Sequence, residues 1–124
     1  LWTFQVFQGS LSSDLLDFSQ APKLERLGIR SSGLQGITLP VSMDFRPLPA
    51  NRPPIMIDLS GNQLDVSDLD AAVDQVHQWV TDPNVTYLDG GSLNISGYSP
   101  TVSSSTTLQY IQTLQNTYGW TVTF

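Results

Sequence analysis

Hydrophobic residues recur along this chain with a fixed spacing. Two apolar residues three apart are followed by a third two positions on, a small or amide residue three positions later and a last apolar residue two positions after that. The segment that starts at Leu24 matches this spacing without a gap, through Leu27, Ile29, Ser32 and Leu34. Because successive side chains of a strand point to opposite faces, Leu27 and Ile29 predict a short strand with one buried face, followed by a turn.

The same spacing returns elsewhere in the chain. Besides the pair in the segment at Leu24, the paired strand positions are Phe4 with Val6, Ile57 with Leu59, and Leu93 with Ile95. Pro54 stands at the first position of the third copy, and Tyr98 stands at the amide position of the fourth. The copies therefore start near residues 1, 24, 54 and 90, with a final strand at 120–124. They predict a single domain over residues 1–124.

Helical periodicity fills the gap after the third copy. Ser67 and Asp70 form a capping pair at the predicted helix start, and Pro83 ends the helix. One face of this helix is apolar and comprises Leu69, Ala72, Val73, Val76 and Val80. A long crossover between two strands is therefore predicted to be helical.

A second helix is predicted from about Ser105 to Tyr118. Its apolar contacts are Leu108, Ile111 and Leu114. Gly119 provides the stop before the final strand.

The order of strands and helices predicts an α/β fold with a parallel sheet and right-handed crossovers. The segment "MDFRPLPANRPP", residues 43–54, is an exception to the helical crossovers. Its four prolines forbid a long helix and predict an extended, polyproline-like connection.

These patterns resemble the leucine-rich repeat. In that family the two central apolar residues flank a parallel strand, here Ile57 and Leu59, and an Asn bonds neighbouring backbone inside the coil, here Asn62. The resemblance implies a right-handed solenoid with a short parallel sheet and with helices or irregular segments on its convex side. The segment "LQYIQTLQNTYGWTVTF" further resembles the closing repeat of domains in bacterial surface proteins and bacteriophage structural proteins.

Charge and composition exclude some classes of partner. Eleven acidic and five basic residues give a net charge of −6, which repels phosphate backbones, so nucleic acid is not an expected partner. No apolar run is long enough to span a bilayer, and no cysteine is present for disulfides or thiolate metal sites. The chain begins at Leu1 rather than Met, which is expected of a processed product or of a stretch of a longer polypeptide, and the longer polypeptide is slightly favoured.

The residues that could form a metal or catalytic site are better explained by structural roles. Asp65, Asp68, Asp70 and Asp74 have the oxygen ligands of a calcium site, but their spacing is not that of an EF-hand and helix capping explains the first three. His77 is the only histidine and is expected to be partly buried and hydrogen-bonded. We predict no catalytic residue, no metal site and no cofactor.

Candidate binding residues come from the outward positions of the predicted strands. They are Arg26, Gly28, Arg30, Met56, Asp58, Ser60, Ser92, Asn94 and Ser96. This strip suits protein or glycan recognition, and it is equally compatible with ordinary solvated side chains. The aromatic end segments "LWTFQVF" and "WTVTF" predict a covering partner, either an upstream repeat, another subunit or a larger assembly.

Two functions from different classes follow. The first is a non-enzymatic structural or interaction module of a large assembly, such as a phage virion or a bacterial surface. The alternative is an extracellular carbohydrate-binding or adhesive domain, in which Trp79, Tyr87 and Tyr98 stack on sugar rings. A hydrolase with paired carboxylates ranks last, because no two acidic residues are placed in one pocket by the sequence.

Overall fold

The computed structural model describes residues 2–7, 15–20, 24–31, 33–40, 55–82, 90–98 and 104–124. The strands in these stretches are β1 (Trp2–Phe7), β2 (Leu15–Asp17), β3 (Leu24–Arg30), β4 (Gly36–Thr38), β5 (Met56–Asp58), β6 (Ser92–Asn94) and β7 (Thr121–Thr123). The helices are α1 (Val66–Thr81) and α2 (Ser105–Asn116). The described part of the chain is therefore mixed α/β, as predicted.

Five strands form one sheet in the order β1-β3-β5-β6-β7, and every neighbouring pair is parallel. Parallel neighbours need long connections, and α1 and α2 provide them between β5 and β6 and between β6 and β7. The predicted parallel sheet with two helices is confirmed for the described residues. The proline-rich segment 43–54 lies outside those residues.

The apolar positions of the repeated spacing form rows across this sheet. Leu27, Ile57, Leu93 and Val122 are paired strand by strand, and each is at most 7% exposed. Two positions further along three of the strands come Ile29, Leu59 and Ile95, which are fully buried. These two rows and the apolar faces of both helices belong to one hydrophobic core.

A second sheet, which the sequence pattern did not predict, pairs β2 with β4 in parallel. Leu15, Leu16 and Asp17 lie opposite Gly36, Ile37 and Thr38. Neither of these two strands contains the paired apolar positions of the repeated spacing, so that spacing gave no signal for them.

The N-cap of helix α1 lies two residues earlier than the predicted cap, Ser67. Asp65 is the N-cap, and its carboxylate accepts the backbone N–H of Asp68, whose own carboxylate accepts the N–H of Asp65. The predicted pairing of Ser67 with Asp70 is therefore wrong, because the Ser67 hydroxyl instead donates to Asp65 at 2.6 Å. The predicted apolar face is buried, and Trp79 is buried with it.

Helix α2 buries Thr107, Ile111 and Leu114. Leu108 was predicted to contact the core but is 41% exposed, because Thr107 occupies the inward position and donates its hydroxyl to Asp74 of α1 at 3.2 Å. The chain then turns at Gly119, whose φ of +66° is accessible to glycine at little cost, and continues into β7.

Candidate functional site: the strand face

The strand face is the surface of the five-stranded sheet opposite the buried rows. It consists of two paired rows, Arg26, Met56, Ser92 and Thr121, and Gly28, Asp58, Asn94 and Thr123. Met56 is 40% exposed and is the large apolar side chain of this surface. Thr121 and Thr123, which the sequence analysis did not include, are exposed beside it. The described part of this face therefore carries mostly short polar side chains, together with Arg26, around one exposed methionine.

Two adjacent strands end in the same local hydrogen-bonded turn. The Asp58 Oδ1 atom accepts the backbone N–H of Ser60 at 3.0 Å and its hydroxyl at 2.6 Å. The Asn94 Oδ1 atom accepts the N–H of Ser96 at 3.1 Å and its hydroxyl at 2.7 Å. Because Asp58 and Asn94 are paired across the sheet, both polar side chains are held in matching positions.

This turn changes the expected exposure of one candidate residue. Ser60 was predicted to point outward, but it is 8% exposed because its hydroxyl turns back to Asp58. Ser96 is partly buried for the same reason, and Gly28 is also buried. Arg30, at the end of β3, is exposed as predicted.

The sequence carried a signal for this turn that was missed. The tripeptides "DLS" and "NIS" occupy equivalent places after β5 and β6, and "DFS" follows β2. In the third case the backbone N–H of Ser19 donates to Asp17 Oδ1 at 2.8 Å. Asp or Asn two residues before Ser is a known route to such turns.

Asn62 joins three segments of backbone behind the strand face. Its Oδ1 accepts the Leu34 N–H at 3.2 Å, and its Nδ2 donates to the carbonyls of Ile29, Leu59 at 3.1 Å and Ser60 at 3.3 Å. The predicted bond from this Asn to neighbouring backbone is therefore present. It connects the turn after β5 to the turn after β3.

Tyr98 extends this network from the next strand. Its hydroxyl donates to the Leu59 carbonyl at 2.6 Å and accepts the Asn62 N–H at 3.0 Å. Burial raises the pKa of the Tyr98 phenol, so the hydroxyl keeps its proton and remains a donor. The side chain of Tyr98, which stands at the amide position of the repeat, thus hydrogen-bonds to backbone as the side chain of Asn62 does.

His77 lies between the two helices. Its imidazole stacks on the Tyr110 ring, with centroids 3.8 Å apart and planes 11° from parallel. Burial lowers the pKa of His77, and Asp74 partly offsets this effect. The predicted partial burial is confirmed, and the ring contact joins α1 to α2.

Two of the four aspartates near α1, Asp65 and Asp68, form its cap. The carboxylates of Asp65 and Asp68 each accept the backbone N–H of the other residue at the helix start. Hydrogen bonds from Ser67 lower the pKa of Asp65, whereas burial raises the pKa of Asp68. Within the described residues, no three His, Asp or Glu side chains converge as a metal site requires. A shallow groove of about 220 Å³ between α1 and β4 is lined by uncharged side chains, namely Ile37, Thr38, Leu39, Ala71, Ala72 and Gln75.

Two of the three aromatic residues considered for sugar stacking, Trp79 and Tyr98, lie within the described residues. Trp79 is 1% exposed, and its Nε1 donates to the Pro40 carbonyl at 2.7 Å, so its ring is not available to stack on a sugar. Tyr98 is partly buried and its hydroxyl is bonded to backbone. Tyr87 lies outside the described residues.

Strand β7 is the last strand of the sheet within the described residues. The Thr121 N–H donates to Gly91, and the Thr123 carbonyl accepts from Ile95, both toward β6. Because neighbouring residues of a strand alternate in direction, the N–H and carbonyl of Val122 point to the outer edge. The Gln115 amide reaches the Val122 carbonyl at 3.4 Å, and Phe124 is 52% exposed just beyond it.

Neither helix in the described ranges is long and apolar enough to cross a membrane. Comparisons of the chain with protein-family models, with curated proteins and with solved structures return no match.

Proposed function

We propose that this chain is a non-enzymatic structural and interaction module, built as a right-handed leucine-rich-repeat-like solenoid. Support for the solenoid comes from the agreement between chain order and sheet order, with the repeated spacing in one register over successive strands. Asn62 and Tyr98 add hydrogen bonds between successive turns of backbone. Each turn of the chain then stacks on the next, which extends one strand face along the sheet.

The observation that carries the interaction role is the strand face itself. Asp58 and Asn94 are held by local hydrogen bonds, so binding a partner freezes little additional side-chain motion. Met56, 40% exposed in the middle of this polar surface, offers an adaptable apolar contact. Such a face fits a protein partner.

The chain is proposed to belong to a large assembly, a phage virion or a bacterial surface. This location rests on the resemblance of the closing repeat and on the polar character of the strand face. Glycan recognition is the less supported alternative, because Trp79 is buried and Tyr98 uses its hydroxyl within the fold.

The test compares two equally exposed apolar residues in the cells that produce the protein. Met56 on the strand face is 40% exposed and Leu108 on α2 is 41% exposed. Tagged wild-type chain is expected to co-sediment with large particles or the surface fraction on a density gradient. Met56→Glu should reduce that fraction at least several-fold, whereas Leu108→Glu should retain it.

Two results would contradict the proposal. Wild-type chain that sediments as a free polypeptide of 13.6 kDa would exclude membership of an assembly. Equal loss with both variants would show that the strand face has no special role.

A further inference from the structure

The Asp58 carboxylate offers one oxygen atom to a ligand on the strand face. Its Oδ1 accepts both the backbone N–H and the hydroxyl of Ser60, at 3.0 Å and 2.6 Å. Those two bonds use the acceptor positions of that atom. Among the residues that the structure describes, none donates a hydrogen bond to Oδ2 or forms an ion pair with it. The strand face therefore has a hydrogen-bond acceptor at Asp58.

Asn94 offers the opposite kind of group on the neighbouring strand. Its Oδ1 accepts the backbone N–H and the hydroxyl of Ser96, which fixes the orientation of the amide and leaves Nδ2 on the other side. In the described part of the chain, no atom accepts a hydrogen bond from Nδ2. Asp58 and Asn94 are paired in the parallel sheet, whose strands lie about 4.8 Å apart. An acceptor and a donor are thus held side by side.

The surroundings of this pair favour an uncharged ligand. Asp58 is paired with Gly28 on β3, and Gly28 lies two residues from both Arg26 and Arg30. A lysine or arginine side chain bound at Asp58 would be repelled by these two arginines and would leave the Asn94 amide without an acceptor. A carboxylate ligand would be repelled by Asp58 and by the net charge of −6.

We propose that the Asp58–Asn94 pair binds a primary amide, the side chain of a glutamine or asparagine presented by the protein partner. The inference rests on the proposed interaction module and names the group that its strand face recognises. The N–H of such an amide donates to Asp58 Oδ2, and its carbonyl accepts from Asn94 Nδ2. The charges are complementary, because the positive end of the amide dipole meets the carboxylate and the negative end meets an N–H group. Both side chains are already held by their serines, so binding orders little that was mobile.

Exchanging Asp and Asn tests this pattern while keeping both turns. Asp58 and Asn94 make the same turn, so each shows that the other's residue type preserves the two bonds from serine. Asp58→Asn presents two donors to the ligand, and Asn94→Asp presents two acceptors. Each change should lower the fraction of chain that co-sediments with particles by about five- to ten-fold, the equivalent of one lost hydrogen bond.

The double variant that combines Asp58→Asn with Asn94→Asp restores one donor and one acceptor in reversed order. A side-chain amide fits that order after half a turn about its last bond, so most of the co-sedimentation should return. Asp17→Asn is the matched control, because Asp17 makes a turn with Ser19 in the β2–β4 sheet and loses the same charge. It should co-sediment as wild type does, and circular dichroism checks that every variant is folded.

Three results would overturn the proposal. Stronger association of Asn94→Asp would show that the partner presents a cation. Equal loss with Asp17→Asn would show that only the net charge matters. A double variant as weak as the single variants would exclude a side-chain amide that can rotate.

A peptide titration tests the class of ligand on the purified chain. The probe is acetyl-Thr-Gln-Thr-amide, and the controls carry glutamate or lysine in place of glutamine. The Asn94 Nδ2 proton resonances, identified by their loss in Asn94→Asp, should shift with the glutamine peptide and stay unchanged with both controls. No shift with the glutamine peptide, or an equal shift with the lysine peptide, would overturn the amide site.

The amide site and the interaction module fail in different ways. Wild-type chain that does not co-sediment with particles contradicts the interaction module. Release by Met56→Glu together with full retention of Asp58→Asn contradicts the amide site alone.

Discussion

Replacing Asn62 by alanine tests whether hydrogen bonds between successive turns hold this fold together. The Nδ2 group has two hydrogens to share among the carbonyls of Ile29, Leu59 and Ser60, and Oδ1 accepts a third bond from the Leu34 N–H. The substitution therefore removes about three hydrogen bonds, each worth about 1 kcal/mol net. We expect the free energy of unfolding to fall by about 3 kcal/mol.

Asn94→Ala is the matched control for this prediction. Asn94 is also partly buried, but its side-chain oxygen bonds only to Ser96, two residues away, in the hydrogen bonds described above. Although two bonds are lost, both are local and lie at a partly exposed strand end where water can replace the Asn94 oxygen, so the removal should cost less than about 1 kcal/mol. The two substitutions have the same chemistry and differ in whether the lost bonds connect distant segments.

Urea unfolding followed by circular dichroism measures the difference. With a slope of about 1 to 3 kcal/mol per molar urea, a loss of 3 kcal/mol lowers the midpoint by about 1 to 3 M. Asn94→Ala should have a midpoint close to that of wild type. Coincident curves for the two variants would refute the reasoning that Asn62 stabilises the fold by joining turns.

Three further predictions concern the core and the helix pair. Leu59→Ala should lower the free energy of unfolding by about 2 to 5 kcal/mol, because it leaves a cavity in a fully buried row. In the same urea experiment, replacing the exposed Leu108 of α2 by alanine should lower it by less than about 0.5 kcal/mol. Gly91→Ala should lower thermal stability by about 1 to 3 kcal/mol, because the added Cβ would lie 2.6 Å from the Trp120 ring; an unchanged melting temperature would contradict that packing. His77 has a pKa lowered by burial, so its neutral form contributes stability that is present above the ordinary value of 6.5 and is lost as pH falls below it. His77→Gln should therefore lose less stability than wild type between about pH 7 and about pH 5, and parallel pH profiles would count against the burial of this ring.

The repeated apolar spacing was sufficient to predict the main sheet. Leu27, Ile57 and Leu93 are paired neighbours in the structure, as three copies of one pattern require. The helix α1 was equally predictable, because five apolar residues at a period of 3.6 define a face long enough to recognise. Its cap was not, since Asp65, Ser67, Asp68 and Asp70 all have capping side chains and only the backbone geometry selects Asp65.

The strand face was predicted in outline. Arg26, Met56 and Asp58 have the outward positions that alternation implies, whereas Ser60 is turned back by its bond to Asp58. Alternation predicts the face of the sheet to which a side chain points, but a local hydrogen bond at the strand end decides how exposed that side chain is.

The sequence by itself determined the α/β class, the buried strand positions and the two helices, because each depends on a period that is written in successive residues. Tertiary structure decided the short β2–β4 sheet, the connection of Asn62 with Tyr98 and the burial of Trp79. These features depend on contacts between residues that are up to 39 positions apart. The physical reason is that such contacts form only after the strands have stacked, and no local period records them.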